Sequence, residues 1–313
     1  MAELILHHFT ASPFSEKIRR VLGYKQLAWK SVLVPITLPK PDVQALTGGY
    51  RRTPLLQIGA DVFCDTALIC DVLEHLQPEP SLYPEPVKGL SRILAQWADS
   101  SFFWAAIAGP RPAAHFYGGG AADSADAFAA DRAAMFGTMK RLPAPDAAAA
   151  RKSYLRRLSD MLDEHPFLLG AAPCVADFAA YAPIWFVRIT EPASQDMLQP
   201  VPALIEWMQR MQTIGDSESL AFDSTQAIEV AAAAEPLPVG HGFLVDSTFQ
   251  DEHGLALGSR VAVRAESFGP EATEGTLIAA TRTHYSLERT DARAGTVHVH
   301  FPRIGYVLER AAP

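Results

Sequence analysis

The 313-residue chain has little cysteine and no excess of positive charge. Its three cysteines, Cys64, Cys70 and Cys174, are too few and too scattered for a disulfide scaffold or a cysteine-based zinc site, so we expect reduced thiols. Lysine and arginine number 27 against 35 aspartates and glutamates, which gives a formal net charge of −8. Nucleic-acid-binding proteins normally show the opposite imbalance, so we expect no nucleic-acid partner.

Long hydrophobic runs are also missing. Charged residues, prolines or glycines break every apolar stretch well short of the ~20 residues that cross a bilayer. The N-terminus carries the acidic Glu3 and no basic targeting region. The sequence therefore predicts a cytoplasmic protein with no membrane partner.

The composition is that of an ordinary globular protein, with 49% hydrophobic and 20% charged residues. The length suggests two or three domains. Changes of pattern place them at residues 1–80, 90–230 and 237–313, with a proline-rich linker after the first.

The first segment predicts the order β-α-β, an irregular stretch, then β-β-α. Apolar runs at 3–9 and 29–34 are typical of strands, and Pro13 is placed where a helix begins. Residues 55–58 and 62–64 flank a Gly-Ala-Asp turn, which favours a hairpin.

The second and third segments differ in their periodicity. From 90 to 230 apolar residues recur at helical spacing, so this segment is predicted to be all-helical. From 237 onward short alternating runs at 260–265, 276–281 and 296–301 are separated by glycine-containing turns. This pattern predicts a small antiparallel β-barrel or sandwich, which we expect to pack on the helical domain. The candidates for that contact are Ile304, Tyr306 and Leu308.

Three short motifs in the first segment could carry chemistry. Ser12 opens the first helix, where a serine is most often a cap but can also stabilise a bound anion. Thr53-Pro54 precedes the third strand, and Asp65-Thr66 opens the following helix. Each motif alone has an ordinary structural explanation, and their joint spacing is the informative feature.

On these motifs residues 3 to 230 resemble the glutathione transferase family. The resemblance rests on three motifs: Ser12-Pro13-Phe14, Arg52-Thr53-Pro54-Leu55-Leu56, and Cys64-Asp65-Thr66-Ala67-Leu68-Ile69. The first of them is similar to the active-site motif of the serine-type tau class. The stretch 48–54 is similar to a bacterial branch of the family. A further run at 170–178 resembles the loop and capping box of the family's second domain, with Cys174 in place of the usual Ser or Thr.

The resemblance implies a fold and a set of roles. The fold is a thioredoxin-like α/β domain followed by an all-α domain, to which this chain adds the C-terminal β-domain. Pro54 would follow a cis bond, and Ser12 would hold the glutathione thiolate. The implied glutathione-binding residues are Phe14, Arg52, Thr53, Pro54, Asp65 and Thr66. We expect them to stay in place when the C-terminal β-domain is removed.

The expected function is conjugation of glutathione, as co-substrate, to a hydrophobic electrophile, in a homodimer. A glutathione-binding or protein-interaction module without turnover is the alternative from another class. Peroxidase or thiol oxidoreductase chemistry on glutathione is weaker, because the serine-type loop contains no cysteine.

Two further groups have open interpretations. Phe103, Trp104 and His115 could line the pocket of the electrophile or belong to a core or dimer interface. His298 and His300 alternate along a predicted strand and share a face, but the sequence supplies no third ligand, so we expect no metal.

Overall fold

The computed structural model describes residues 3–108, 125–191, 197–250 and 252–311. The strands are β1 (Ile5–His8), β2 (Trp29–Leu33), β3 (Leu55–Ile58), β4 (Asp61–Cys64), β5 (Ser219–Ala221), β6 (Arg260–Ala265), β7 (Thr273–Ala280), β8 (His284–Asp291), β9 (Gly295–Pro302) and β10 (Tyr306–Arg310). The helices are α1 (Pro13–Lys25), α2 (Pro41–Thr47), α3 (Thr66–Leu76), α4 (Lys88–Trp97), α5 (Phe103–Ala106), α6 (Ala125–Phe136), α7 (Ala144–Asp160), α8 (Val175–Thr190), α9 (Pro202–Thr213) and α10 (Ser224–Ala233). A π-helical turn, Ala98–Phe102, joins α4 to α5.

The first domain has the predicted order of elements. The Ser12 side chain caps α1 by accepting a hydrogen bond from the Ser15 N–H at 3.1 Å, and Pro13 occupies the first turn. In the sheet, β1 pairs in parallel with β2 and antiparallel with β3, and β3 forms the hairpin with β4. The thioredoxin-like domain followed by a helical domain is therefore confirmed.

The C-terminal strands continue the first domain's sheet. The ten strands lie in the order β10-β6-β7-β8-β9-β4-β3-β1-β2-β5, and β9 pairs in parallel with β4. The predicted β-segment is confirmed. It contacts the helical domain, where Phe268 packs on Trp104 and Phe136, but its strands also join the first domain's sheet, which the sequence did not predict. An edge strand presents unpaired N–H and C=O groups, and β9 satisfies those of β4.

Two hydrophobic cores lie on the two faces of the first domain's part of this sheet. One joins α1 and α3 to the helical domain, with Trp207 and Phe178 among its fully buried side chains. The other joins α2 and α10 to the added strands, with Val62 of β4 beside Val299 of β9. The added segment thus shares a core with the first domain.

A close contact of the main chain reinforces this join. A Cβ on Gly49 would lie 1.9 Å from the Ala272 carbonyl oxygen, so only glycine fits at this position. Nearby, the Thr273 hydroxyl donates to the Thr47 carbonyl oxygen at 2.8 Å.

The domain boundaries 1–80, 90–230 and 237–313 remain a prediction. Within the second of them, β5 pairs with β2 and α10 contacts α2, so residues 219–233 return to the first sheet. Among the described helices, none is both long and apolar enough to span a membrane.

Candidate glutathione site

A cavity of about 100 Å³ lies where the first domain meets the helical domain. Its lining includes all six residues that the sequence assigns to glutathione binding. The lining residues are Phe14, Tyr50, Arg52, Thr53, Pro54, Asp65, Thr66 and Asp99. The fold thus brings together four segments that are far apart in the sequence: the start of α1, the turn before β3, the start of α3 and the π-helical turn.

Asp65 begins α3 in an unusual main-chain conformation. Its φ of 74° is in the region that favours glycine, and its Oδ1 accepts a hydrogen bond from the Ala67 N–H at 2.9 Å. Non-glycine residues in this region carry strain that the surrounding structure must hold, and such residues cluster at functional sites. The carboxylate is therefore fixed toward the cavity at a helix N-terminus.

Arg52 lies in the same cavity with two unsatisfied guanidinium nitrogens. Its Nε and one Nη are buried, and neither has a hydrogen-bond partner among the described residues, although the guanidinium group lies over the Tyr306 ring. Buried donors without a partner are costly, and a carboxylate is the group that best satisfies them. Arg52 and Asp65 give the cavity one anion-binding and one cation-binding group.

Thr53 and Pro54 precede β3, and the bond between them is cis, as the resemblance implied. Pro54 is buried and Thr53 is half-buried. Thr53 borders the cavity where β3 begins.

A buried ion pair lies beneath Thr66. The Lys17 ammonium group donates to the Thr66 hydroxyl at 3.0 Å and to the Asp99 carboxylate at 2.5 Å. Burial lowers the pKa of Lys17, but the neighbouring acidic groups, Asp99 foremost, together outweigh this effect and the net pKa is raised. Lys17 thus stays charged and links Thr66 to the helical domain.

Ser12 is not among the residues that line the cavity. It is 2% exposed, and its Oγ accepts the helix-capping hydrogen bond described above. A hydroxyl that accepts such a bond still has its own proton to donate. Phe14, two residues on, does line the cavity, so the start of α1 borders the site.

The two described aromatic residues predicted for the electrophile pocket, Phe103 and Trp104, adjoin each other with ring centroids 4.9 Å apart. Phe103 also packs on Phe14, with ring centroids 4.6 Å apart. Trp104 also packs on Phe136 and Phe268, at 5.5 and 5.2 Å, in a cluster that includes the added segment. His115 lies outside the described residues.

The sequence reasoning missed two tyrosines, Tyr50 and Tyr306, as parts of the site. The Tyr306 hydroxyl donates to Asp65 Oδ2 at 3.0 Å and lies 3.2 Å from the Tyr50 hydroxyl. Burial raises the pKa of both hydroxyls, so they remain protonated. Tyr306 belongs to β10, some 240 positions along the chain from Asp65, and no local pattern signals that contact.

Two family models match the chain. Residues 6–81 match the glutathione S-transferase N-terminal domain and residues 143–210 the glutathione S-transferase C-terminal domain. Among functionally curated proteins, no match to the chain is found.

Solved structures extend the likeness over the whole chain. A GST-like protein from Pseudomonas syringae is 36% identical, with a TM-score of 0.80, and the match covers 99% of this chain and 100% of that one. A glutathione transferase from Phanerochaete chrysosporium is 19% identical with a TM-score of 0.56, covering 69% of this chain and 98% of that one. A glutathione S-transferase from Methylobacillus flagellatus with glutathione bound is 19% identical with a TM-score of 0.50, covering 68% and 100%.

The last two relatives match over almost their whole length but over only two thirds of this chain, whereas the Pseudomonas protein also matches the C-terminal strands. Since that protein is more than 30% identical over nearly all of both chains, the chain belongs to the glutathione S-transferase family.

Proposed function

We propose that the protein is a glutathione transferase that conjugates the glutathione thiolate to a hydrophobic electrophile. The observation that carries the proposal is the pair of unsatisfied Arg52 guanidinium nitrogens in one cavity with Asp65. Glutathione has carboxylates at both ends and an ammonium group at one. The glycyl carboxylate pairs with Arg52, and the γ-glutamyl ammonium group pairs with Asp65.

The remaining contacts follow from the same placement. The α3 N-terminus at Thr66 offers main-chain N–H groups to the γ-glutamyl carboxylate. Thr53 offers main-chain groups to the cysteinyl residue, as an added strand would require. Phe14 and Phe103 form an apolar wall for the electrophile beside the sulfur.

Ser12 acts on the thiol in this proposal. Its hydroxyl donates to the sulfur while its Oγ still accepts from the Ser15 N–H, and the start of α1 adds positive potential. Lowering a thiol pKa from ~8.5 to ~6.5 requires about 2.7 kcal/mol of thiolate stabilisation. One charge-assisted hydrogen bond and a helix terminus are together of that size.

A glutathione-binding module without turnover is the second candidate. It is favoured by the burial of Ser12, whose 2% exposure and capping bond suit a purely structural serine. Both candidates place the protein in a reducing, cytoplasmic location, which is consistent with three buried free cysteines.

Two variants test the proposal and separate the candidates. Asp65→Asn removes the partner of the ammonium group, and we expect calorimetry to show glutathione affinity ~10- to 100-fold weaker, equivalent to 1.5–3 kcal/mol. Ser12→Ala should lower kcat/KM with a broad electrophile ~10- to 1000-fold and leave glutathione affinity nearly unchanged.

Ser15→Ala is the matched control, because Ser15 is buried in the same helical turn, its hydroxyl has no hydrogen-bond partner among the described residues, and the variant keeps the main-chain N–H that Ser12 caps. Equal glutathione affinity in Asp65→Asn and wild type would refute the binding site. Tight glutathione binding with no turnover across electrophile classes would favour the binding module.

A further inference from the structure

A second cluster of chemically capable side chains lies at the join between the first domain and the added strands. The register of β4, β9 and β8 creates it. Asp61 of β4 lies opposite His298 of β9, and Glu288 of β8 lies opposite the same histidine on its other side. Ser286 lies opposite His300. Side chains two apart on a strand share a face, so these groups meet on one face of the sheet.

Three atoms in this cluster converge. His300 Nε2 lies 3.0 Å and His298 Nδ1 3.8 Å from Asp61 Oδ1, and one ligand atom from each of the three residues lies within 4.8 Å of the other two. Ligand atoms around a tetrahedral metal with bonds of about 2.1 Å are about 3.4 Å apart. Two imidazole nitrogens and one carboxylate oxygen are also a donor set that divalent transition metals prefer.

A hydrogen-bond network among these side chains does not account for the burial of His298. Its side chain is 9% exposed, and its buried Nδ1 has no hydrogen-bond partner among the described residues. An unsatisfied buried nitrogen costs free energy, and a metal ion between it and Asp61 would remove that cost.

The neighbours of Asp61, His298 and His300 are of the kind that orient metal-binding side chains. His300 Nδ1 lies 2.7 Å from the Ser286 hydroxyl, and His298 Nε2 lies 3.6 Å from Glu288 Oε2. Asp61 Oδ2 accepts a hydrogen bond from the Leu237 N–H at 3.0 Å, which leaves Oδ1 to the cluster. Metal-binding histidines usually donate their second N–H to such a partner, which fixes the tautomer and the ring orientation.

A small cavity adjoins the cluster. It has a volume of about 20 Å³, room for one water molecule, and Asp61, His300 and the segment 237–244 are among its walls. A fourth coordination position facing this cavity could therefore hold water.

We propose that Asp61, His298 and His300 bind one divalent transition-metal ion, of which Zn²⁺ is the probe, and that this ion holds β9 against β4. The inference does not rest on the proposed transferase function, because none of these residues lines the glutathione cavity.

The test uses full-length, tag-free protein stripped with a chelator. Titration with ZnCl₂ against a competing chromophoric chelator should show one saturable equivalent, and the melting temperature should rise with Zn²⁺. Co²⁺ should give the intense visible absorption of a four-coordinate site. His298→Gln and Asp61→Asn, which keep the side-chain size, should each weaken Zn²⁺ binding at least ~100-fold, and Glu288→Gln about 10- to 100-fold.

His75→Gln is the matched control, because His75 is exposed on α3 and should bind Zn²⁺ like wild type. Circular dichroism and the metal-free melting temperature verify that each variant folds. Absence of a saturable equivalent in the wild type would overturn the proposal, as would undiminished Zn²⁺ binding by folded His298→Gln. If Asp61→Asn fails to fold, His298→Gln decides alone.

Discussion

The contacts of single side chains in this protein depend on partners that lie far away in the chain. Asp65 illustrates this: one carboxylate oxygen caps its own helix, and the other accepts from Tyr306 of the last strand. The helix-capping role was readable from the sequence, because Asp before an apolar helical run is a common cap. The contact with Tyr306 was not readable, because it depends on where β10 lies.

Tyr306→Phe tests whether that contact positions Asp65 for a ligand. Deleting the hydroxyl removes one hydrogen bond to the carboxylate, so we expect glutathione affinity to fall about 3- to 10-fold by calorimetry. Tyr50→Phe removes a neighbouring hydroxyl that does not contact Asp65 and should change affinity less. An affinity equal to wild type in Tyr306→Phe would contradict the positioning role.

Because His7 is buried, we expect the folding stability of the protein to depend on pH. Burial lowers its pKa from 6.5 to about 4, and its Nε2 lies 2.8 Å from Gln57 Oε1. The unfolded chain gains a proton below pH 6.5 while the folded protein does not until about pH 4, so stability is lost as pH falls between these values. At pH 5 this loss is about 2 kcal/mol relative to pH 8.

His7→Gln keeps a donor to Gln57 but does not titrate. Urea unfolding at pH 8 and pH 5 should therefore show a loss about 2 kcal/mol smaller in the variant than in wild type. The exposed control His75→Gln should lose as much stability as wild type. An identical pH dependence in His7→Gln would count against a neutral, buried His7.

Local sequence patterns predicted the helices and strands of this protein more reliably than they predicted its long-range contacts. The start of α8 shows this: the Asp177 carboxylate accepts from the N–H groups of Leu168 and Cys174, each at 2.9 Å. Asp177 and Cys174 thus form the capping box that the run at 170–178 resembles. The strands of the C-terminal segment were equally readable, since Val297, Val299 and Phe301 alternate inward and are fully buried. Their pairing partner was not, because alternation gives the buried face of a strand but not its neighbour.

Truncation after Glu235 tests the pairing of β9 with β4. It would expose the β4 edge and one face of the sheet, including the fully buried Val62. We expect aggregation, or a melting temperature at least ~10 °C lower, a shift that corresponds to several kcal/mol. It would also remove the Tyr306 hydroxyl that donates to Asp65, a contact that the sequence-based expectation of an intact glutathione site did not include.

Truncation after Arg310 is the matched control, because it keeps β10 whole. Melting curves by circular dichroism and the soluble fraction after expression measure the effect. A soluble 1–235 fragment that melts with the full-length protein would show that the strands are an independent appendage.

At the scale of the whole molecule, we propose that the protein is a homodimer, as the family resemblance implies. On α4, Leu90 and Ile93 are one helical turn apart and are 54% and 68% exposed. An apolar pair on a helix face is typical of a surface that another chain covers. Light scattering should give about 68 kDa, twice the 34.0 kDa of one chain.

Ile93→Glu should shift the mass toward 34.0 kDa by placing a charge in that surface. Ile304→Glu is the matched control, because Ile304 is also 68% exposed but lies in the added segment. Its exposure also corrects the expectation that Ile304 helps to anchor that segment. A monomeric wild type at micromolar concentration would refute the dimer.

The sequence by itself determined the local features of this protein. Helix caps, strand alternation and the short motifs around Ser12, Thr53 and Asp65 depend on neighbours within a few residues, so the pattern alone predicts them. The order of elements in the first domain and the family resemblance both follow from these local patterns.

Only the tertiary structure decided what lies beside what. The pairing of β4 with β9 brings Asp61 to His298 and His300, and the position of β10 brings Tyr306 to Asp65. Such contacts join residues some 240 positions apart, and no periodicity specifies the partner of an edge strand. The physical reason is that an open sheet edge and an uncovered apolar face can be satisfied by any segment of suitable pattern, and the choice is made by the packing of the whole chain.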